Sequence, residues 1–221
     1  MIIEKFKEFP ITYGLIILNI IAFLPLTVDS WAGELYRFGV LHGYSIFIQG
    51  EYYRLFSSMF LHNDMIHISM NMLSLYMVGR MVENLFKPWA YLGIYFMSGL
   101  FGSFLFLYMD LSGQAVGASG ALFGIFGALA GFALVHRHRM QSAFMQFMRD
   151  FGIILVINFF IGIIFPSIAM SAHVGGLITG FIGGFIVAKN SSFLWIYLFI
   201  GAVVLFGMSG YFESVYHQIV F

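Results

Sequence analysis

Residues 117–131 read GASGALFGIFGALAG, and glycine returns at every third or fourth position of this stretch. Residues three and four apart lie on one face of a helix. The helix would therefore carry one smooth stripe, made of Gly120, Gly124, Gly127 and Gly131. Stripes of small residues allow the backbones of two membrane helices to approach closely. The stretch predicts a helix packed tightly against a second helix inside a membrane.

Residues 172–184 read AHVGGLITGFIGG and supply a second stripe. This stripe shares a helical face with His173 and consists of Gly176, Gly180 and Gly184. We expect the two stripes to pack against each other. That packing would bring the first turns of both helices together, and with them Ser119 and His173.

The composition places the chain in a membrane. Of its 221 residues 61% are hydrophobic and only 9% are charged, whereas soluble domains carry about 25% charged residues. The formal net charge is zero, and the absence of a basic cluster argues against a nucleic-acid partner. The chain contains no cysteine, which excludes disulfides and thiolate metal sites. The lipid bilayer is therefore the expected surrounding medium.

Seven apolar stretches are long enough to cross or nearly cross the bilayer as helices, which takes about 20 residues. They cover residues 10–28, 65–86, 88–109, 118–136, 150–166, 171–188 and 193–211. We expect an all-α polytopic membrane protein with a single domain over residues 1–221. Between the first two spans lies a loop, Asp29 to Asp64, whose aromatic residues and Ile48 suit a loop lying partly in the membrane interface; the aromatic residues are Trp31, Phe47, Tyr52 and Tyr53.

The basic residues predict the orientation of the spans. If the N-terminus is cytoplasmic, eight of the ten Lys and Arg residues fall on the cytoplasmic side. Only Arg37 and Arg54 fall outside, a clear positive-inside bias. This topology puts Ser119 and His173 at the outer ends of their spans, at the same depth.

Ser119 and His173 are the residue types of a nucleophile and its general base. A hydroxyl beside an imidazole is the basis of acyl transfer, and a helix N-terminus offers N–H groups to a developing oxyanion. Gly117 and Gly120 flank the serine and permit a sharp bend. The structural alternatives are a serine within a packing stripe and a histidine bonded to a backbone carbonyl.

A third polar group lies at the start of the second span, in the sequence HNDMIHISMN at 62–71. His67 and Asn71 are four residues apart, so they share a helical face, and both can donate hydrogen bonds to an oxyanion. His62 would brace the first loop. The alternative is a metal site that includes His62, His67 and Asp64, but the chain has no His-Glu-x-x-His pattern and no second acidic cluster on another span. We expect no metal and no cofactor.

Three motifs together resemble the rhomboid intramembrane serine proteases. They are Gly-x-Ser-Gly at 117–120, Ala-His-x-Gly-Gly at 172–176 and His-x-x-x-x-His-x-x-x-Asn at 62–71, in this order on spans four, six and two. The resemblance covers Tyr53 to Ala188 and implies a bundle of six core helices. The span at 193–211 matches the six-plus-one arrangement found in part of that family.

The resemblance also implies roles for single residues. Ser119 would be the nucleophile and His173 the general base of a dyad. His67, Asn71 and the Ser119 backbone N–H would form the oxyanion hole. The ring of Phe123 would stack beneath the catalytic imidazole.

Two positions depart from the family pattern. Tyr53-Arg54 stands where many members have Trp-Arg, and Lys87 stands where a glycine would follow Gly79-x-x-x-Glu83.

The expected substrates are proteins with a single transmembrane span, weakly helical at the outer end and with small residues at the cleavage point. The expected location is a bacterial plasma membrane, with the active site opening to the outer side.

We expect span five and the loop 165–170 to move as a gate.

A catalytically inactive rhomboid-like scaffold remains an alternative, although the chain keeps both serine and histidine. A transporter would show paired inverted repeats, which the sequence lacks.

Overall fold

The computed structural model describes residues 7–164 and 169–220. In chain order the elements are helix α1 (Pro10–Phe23), helix α2 (Asp29–Gly39), strand β1 (Leu41–His42), helices α3 (Gly43–Phe47), α4 (Arg54–Ser57), α5 (Met65–Ser74), α6 (Arg80–Leu85) and α7 (Pro88–Met109), strand β2 (Gln114–Ala115), and helices α8 (Ser119–Ile164), α9 (Met170–Lys189) and α10 (Leu194–Val220). A π-helical segment, Leu75–Gly79, joins α5 to α6 without a break. The gate loop predicted at 165–170 lies mostly outside the described residues.

Five helical segments in the described part of the chain are long and apolar enough to cross a membrane. They are Pro10–Thr27, Pro88–Met109, Ser119–Arg139, Met170–Lys189 and Ser191–Val220. These segments correspond to predicted spans one, three, four, six and seven. The predicted second span is helical from Met65 to Leu85, with the π-helical segment in its middle. The expected class, an all-helical polytopic membrane protein, is confirmed.

The two glycine stripes pack directly against each other, as their spacing predicts. A Cβ atom added to Gly176 would overlap the carbonyl of Gly120, and one added to Gly180 would overlap the carbonyl of Gly124. One turn further, a Cβ on Gly184 would overlap the backbone of Ala128. Any side chain at these positions would force α8 and α9 apart. The contact therefore fixes both the distance and the register of the two helices.

Helix α8 is longer than the sequence predicts, because spans four and five form one helical segment of 46 residues. The chain nevertheless reverses direction within it: the rings of Phe126 and Phe151 are 6.4 Å apart, whereas 25 residues of straight helix would cover about 37 Å. No glycine or proline interrupts residues 132–151, so nothing in the sequence breaks the helix at the turn.

The first loop is held by Arg54, which is 7% exposed. Its guanidinium donates to the carbonyls of Arg37 at 2.6 Å and Val40 at 3.1 Å, and pairs with Glu51 at 2.7 Å. Trp31 is exposed, as an interface residue would be. The same expectation is wrong for Phe47, because it is buried in a cluster between the loop and the helices.

Glu83 ties the second span to the beginning of the first. Its two carboxylate oxygens accept hydrogen bonds from the backbone N–H groups of Ile11, at 2.7 Å, and Thr12, at 2.8 Å. These N–H groups belong to the first turn of α1, where helical N–H groups have no partner within the helix. Gly79, one turn before Glu83, packs against Thr12 and Tyr91. Close packing is therefore present at Gly79, whereas Lys87, at the position of the expected glycine, is exposed.

Helix α10 continues to Val220, nine residues beyond the predicted end of the seventh span at 211. Glu213, His217 and Gln218 lower the hydropathy there, which is why the sequence prediction stops early. Phe212 and Tyr216 are four residues apart, lie on one face and are buried against the first loop. Packing of that face, and not hydropathy, extends the helix.

Candidate active site

Ser119 and His173 lie side by side at the same end of the bundle. Ser119 is the first residue of α8, and His173 lies in the first turn of α9. Ser119 Oγ and His173 Nε2 are 2.8 Å apart, a hydrogen bond between residues 54 positions apart in sequence. Serine is half-buried and histidine is 7% exposed. A hydroxyl that donates to a buried imidazole can be activated as a nucleophile.

The imidazole of His173 is oriented by an aromatic ring. Phe123 lies one turn after Ser119, and its ring is parallel to that of His173, with centroids 4.2 Å apart and planes 7° apart. His173 Nδ1 is buried and has no hydrogen-bond partner among the described residues. The stacked ring of Phe123 therefore fixes the plane of the imidazole. No carboxylate within residues 7–164 and 169–220 binds Nδ1. Ser119 and His173 thus have the geometry of a dyad, with no third residue bound to the imidazole among the described residues.

Gly117 opens a space beside the serine. Its φ angle is +128°, a conformation that favours glycine, and its N–H donates to the Ser58 carbonyl at 2.9 Å. A Cβ atom at this position would lie 2.8 Å from His67 Nε2 and 3.7 Å from Ser119 Oγ. His67 and Ser119 therefore border the same small space. A side chain at residue 117 would fill it.

Helix α5 begins where its sequence predicts a cap. The Asp64 side chain accepts a hydrogen bond from the His67 N–H at 2.8 Å. Asn71 is 6% exposed and uses one N–H of its amide to donate to the His67 carbonyl at 3.1 Å. The second N–H of that amide is left for other partners. His67 borders the space beside Ser119 directly. Asn71 lies one helical turn after His67 along α5.

A family model described as "Rhomboid domain" matches residues 49–190. This range contains both glycine stripes, the Ser119–His173 pair and the polar group on α5. The chain belongs to the rhomboid family. The resemblance inferred from the three motifs is thereby confirmed.

Several relatives within the rhomboid family are similar over most of this chain. The rhomboid protease GluP of Bacillus subtilis (strain 168) is 35% identical over 178 residues, which are 77% of this chain and 33% of that protein. The mitochondrial RHOMBOID-like protein 6 of Arabidopsis thaliana is 33% identical over 178 residues, 79% of this chain and 57% of that protein. Inactive RHOMBOID-like protein 8 of the same plant is 30% identical over 129 residues, 58% of this chain and 36% of that protein. The chain thus spans about a third to three fifths of the length of these relatives.

Beside Ser119, the rhomboid domain contains a cavity of about 30 Å³ that the sequence did not predict. Its lining comes from the first loop, from α7 and from the segment before α8: Leu41, Ser58, Met59, Gly99, Ser103, Ala115, Val116, Gly117 and Gly120. Gly99 and Ser103 are small residues four apart on the third span, a spacing that allows close approach. That spacing is the sequence feature that could have indicated the cavity. The loop residues carry no motif.

His62 is fully buried, and its ring meets the His67 ring edge to face at 5.0 Å. Neither ring nitrogen of His62 has a hydrogen-bond partner among the described residues. Burial, together with the nearby His67, lowers the pKa of His62 to about 4, so the ring is neutral at pH 7. His62 thus packs against His67 and supports it from behind.

The metal alternative finds no support in the described part of the chain. Residues 7–164 and 169–220 hold no group of three or more His, Cys, Asp or Glu that could bind a metal ion. Asp64, the carboxylate of the proposed set, serves instead as the cap of α5.

Proposed function

We propose that this chain is an intramembrane serine endopeptidase that cleaves single-span membrane proteins within or next to their transmembrane helix. The observation that carries the proposal is the 2.8 Å hydrogen bond between Ser119 Oγ and His173 Nε2. Membership of the rhomboid family and similarity to a relative named as a rhomboid protease support the same reaction class.

In the proposed reaction Ser119 Oγ attacks the carbonyl carbon of the scissile peptide bond, while its proton passes to His173 Nε2. The C–N bond then breaks, the proton moves from the imidazolium to the leaving amine, and the acyl group remains on Ser119. A water molecule loses a proton to His173 and attacks the ester. Collapse releases the new carboxylic acid and returns a proton to Ser119 Oγ.

The negative charge on the carbonyl oxygen would be stabilised by three donors. The Ser119 N–H lies at the N-terminus of α8, where the partial positive charge of the helix adds to the hydrogen bond. His67 Nε2 borders the same space, and the Asn71 amide, one turn along α5, has a second N–H to donate. These donors would bind the oxyanion more strongly than the uncharged carbonyl.

The cavity beside Ser119 supports a preference for small residues at the cleavage point. Its volume of about 30 Å³ is small, which favours a side chain such as that of alanine over one such as that of leucine. A substrate helix has its backbone groups paired internally, so it must unwind locally before Ser119 reaches a carbonyl. Substrates with weakly helical ends would therefore be cleaved best.

The charge bias supports cleavage at the outer side of the membrane. Eight of ten basic residues would be cytoplasmic if the N-terminus is inside, and Ser119 would then lie at the outer face. We propose a bacterial plasma membrane as the location. Span five with the loop 165–170 is the proposed gate, because lids of this kind commonly control access to active sites, although most of this loop lies outside the described residues.

Labelling with a serine-reactive fluorophosphonate tests the proposal most directly. The wild-type protein should be labelled at Ser119, and both Ser119→Ala and His173→Ala should abolish labelling and cleavage of a model single-span substrate. Ser209→Ala is the matched control, because this serine lies on α10 and donates within that helix, to the Leu205 carbonyl at 2.9 Å. Cleavage that persists in Ser119→Ala would exclude Ser119 as the nucleophile.

The same experiment separates the enzyme from an inactive scaffold, a role suggested by the relative named as inactive. A scaffold would bind single-span proteins without labelling or cleavage in the wild type. For the oxyanion hole, Asn71→Ala should lower the rate of cleavage by roughly 10² to 10³. Asn84→Ala, an exposed asparagine at the far end of the same span, should leave the rate unchanged.

A further inference from the structure

The last turns of α10 are buried against the first loop. The helix has 27 residues and is therefore about 40 Å long, more than the roughly 30 Å core of a bilayer. Most of its surface is exposed, for example Phe199 at 70% and Phe206 at 83%. Near its C-terminal end, however, Phe212 and Tyr216 are 1% and 4% exposed. This end of α10 has a protein partner.

The partner is the segment that follows strand β1. The ring of Phe47 is stacked on those of Phe212, at 5.3 Å and 12°, and Tyr216, at 5.5 Å and 27°. A Cβ atom on Gly43 would overlap the Tyr216 hydroxyl, so that hydroxyl fills the place of a side chain at residue 43. The hydroxyl donates a hydrogen bond to the carbonyl of Leu111.

The contacts of Tyr216 lie at one end of a two-stranded ladder. Strand β1 pairs antiparallel with strand β2, Leu41 opposite Ala115 and His42 opposite Gln114. Gly43 directly follows β1, and Leu111 precedes β2 by three residues. Tyr216 therefore holds the exit of one strand and the approach to the other.

The ladder in turn forms a wall of the site. Leu41 and the segment 115–117 line the cavity beside Ser119, and Gly117 leads directly into α8. A shift of the ladder would move the cavity wall and the backbone that places Ser119 opposite His173. Helix α10 lies entirely beyond residues 49–190, which the rhomboid model matches.

We propose that Tyr216 is a positioning residue, which fixes the wall of the Ser119 cavity by holding Leu111 and Gly43 from α10. Its effect on catalysis rests on the proposed peptidase function, whereas the brace itself does not. In Tyr216→Phe the ring still stacks on Phe47, but the Leu111 carbonyl loses its donor. The segment before β2 is then free to shift, and the position of the cavity wall is no longer fixed.

Tyr197→Phe is the matched control on the same helix. The Tyr197 hydroxyl also donates to a backbone carbonyl, that of Thr179 at 3.3 Å, but this contact lies in the far half of the bundle. Both variants lose one hydroxyl-to-carbonyl bond, and only one of these bonds is connected to the ladder. A purely structural role for Tyr216 would give the two variants the same phenotype.

Hydrogen exchange measured by mass spectrometry tests the brace without any need for activity. In Tyr216→Phe the amides of residues 110–117 should exchange roughly 2- to 10-fold faster than in the wild type, the factor that corresponds to one lost hydrogen bond. Tyr197→Phe should leave these amides unchanged. Equal protection of residues 110–117 in all three proteins would overturn the proposal.

Kinetics test the consequence for cleavage, with two single-span substrates that differ only by alanine or leucine at the cleavage residue. Tyr216→Phe should lower kcat/KM for the alanine substrate roughly 2- to 10-fold and narrow the preference for alanine over leucine. Tyr197→Phe should keep the wild-type preference. An unchanged preference in Tyr216→Phe, while the wild type cleaves and is labelled at Ser119, would exclude the catalytic role. A wild type inert to the fluorophosphonate would instead contradict the peptidase proposal, and hydrogen exchange would still decide the brace.

Discussion

Phe123 and His173 form a parallel stack, with ring centroids 4.2 Å apart and an angle of 7° between the planes. Phe123 belongs to α8 and His173 to α9, so the stack crosses the helix interface next to the Ser119 hydrogen bond. With His173 Nδ1 unpartnered among the described residues, this stack is the contact that sets the plane of the imidazole. A general base must keep its orientation throughout the reaction.

Replacing Phe123 by leucine should therefore slow cleavage without weakening substrate binding. The stacking contribution of an aromatic pair is about 0.5–1.5 kcal/mol, which corresponds to a loss of roughly 2- to 10-fold in kcat. Steady-state kinetics should show this loss in kcat with KM unchanged. Phe132→Leu, further along α8 and stacked on His136 at 4.2 Å and 28°, should keep the wild-type kcat. A change confined to KM would contradict the orienting role.

Gly176→Ala should disrupt both stability and the site. Its Cβ would overlap the Gly120 carbonyl, next to Ser119, so α8 and α9 must separate. Overpacking of this kind costs about 1–3 kcal/mol, and the added distance between Ser119 and His173 should abolish fluorophosphonate labelling. Gly207→Ala is the control: nothing lies within 4 Å of a Cβ there, and alanine favours the helix. Wild-type labelling of Gly176→Ala would show that the stripes need not touch.

Glu83 should contribute to stability through its two bonds to α1. Hydrogen bonds to a charged group are worth about 1.5–3 kcal/mol each, so the loss of both in Glu83→Ala should lower the free energy of unfolding by about 3–6 kcal/mol. Glu83→Gln keeps one acceptor oxygen and should lose less. Denaturation followed by circular dichroism in detergent would measure the difference. The exposed Glu34 serves as the control, since Glu34→Ala should be neutral. Equal stability of all three variants would refute the bridge.

His62 should make stability depend on pH. The folded protein holds this ring neutral, with its pKa lowered to about 4, whereas the unfolded chain takes up a proton near pH 6.5. The full stability is therefore present above pH 6.5 and declines as the pH falls from 6.5 toward 4. The loss attributable to His62 is on the order of 3 kcal/mol.

Unfolding of His62→Phe across this pH range would check the expectation. The variant keeps an aromatic ring in the buried site but has no group to protonate, so its pH profile should be flatter than that of the wild type. His138→Gln, at an exposed histidine, should reproduce the wild-type profile. A wild-type slope in His62→Phe would assign the pH dependence to another group.

The glycine spacing allowed the helix pairing to be predicted, because the fit between two stripes depends on local periodicity alone. The same spacing put Ser119 and His173 at adjoining helix ends, where they form a hydrogen bond. The position of Phe123 came from the family resemblance. None of these predictions required knowledge of the loops.

The rest depends on contacts between distant parts of the chain. The cavity beside Ser119 takes its lining from the first loop and from α7, which no single motif connects. The end of α10 was missed because Phe212 and Tyr216 are buried by the loop and not by lipid. The helical residues between spans four and five were missed because residues 137–150 are too polar for a membrane span, although no glycine or proline interrupts them.

The π-helical segment Leu75–Gly79 sets how far one half of the second span is rotated relative to the other half. On one side of it His67 borders the space beside Ser119, and on the other Gly79 packs against Thr12 of α1. An α-helix turns by about 100° per residue. Deleting one residue from this segment would leave the hydropathy of the span almost unchanged. It would nevertheless rotate the lower half away from α1 or turn His67 away from Ser119. The site and the anchor of the first helix thus depend on a count of residues rather than on their chemistry.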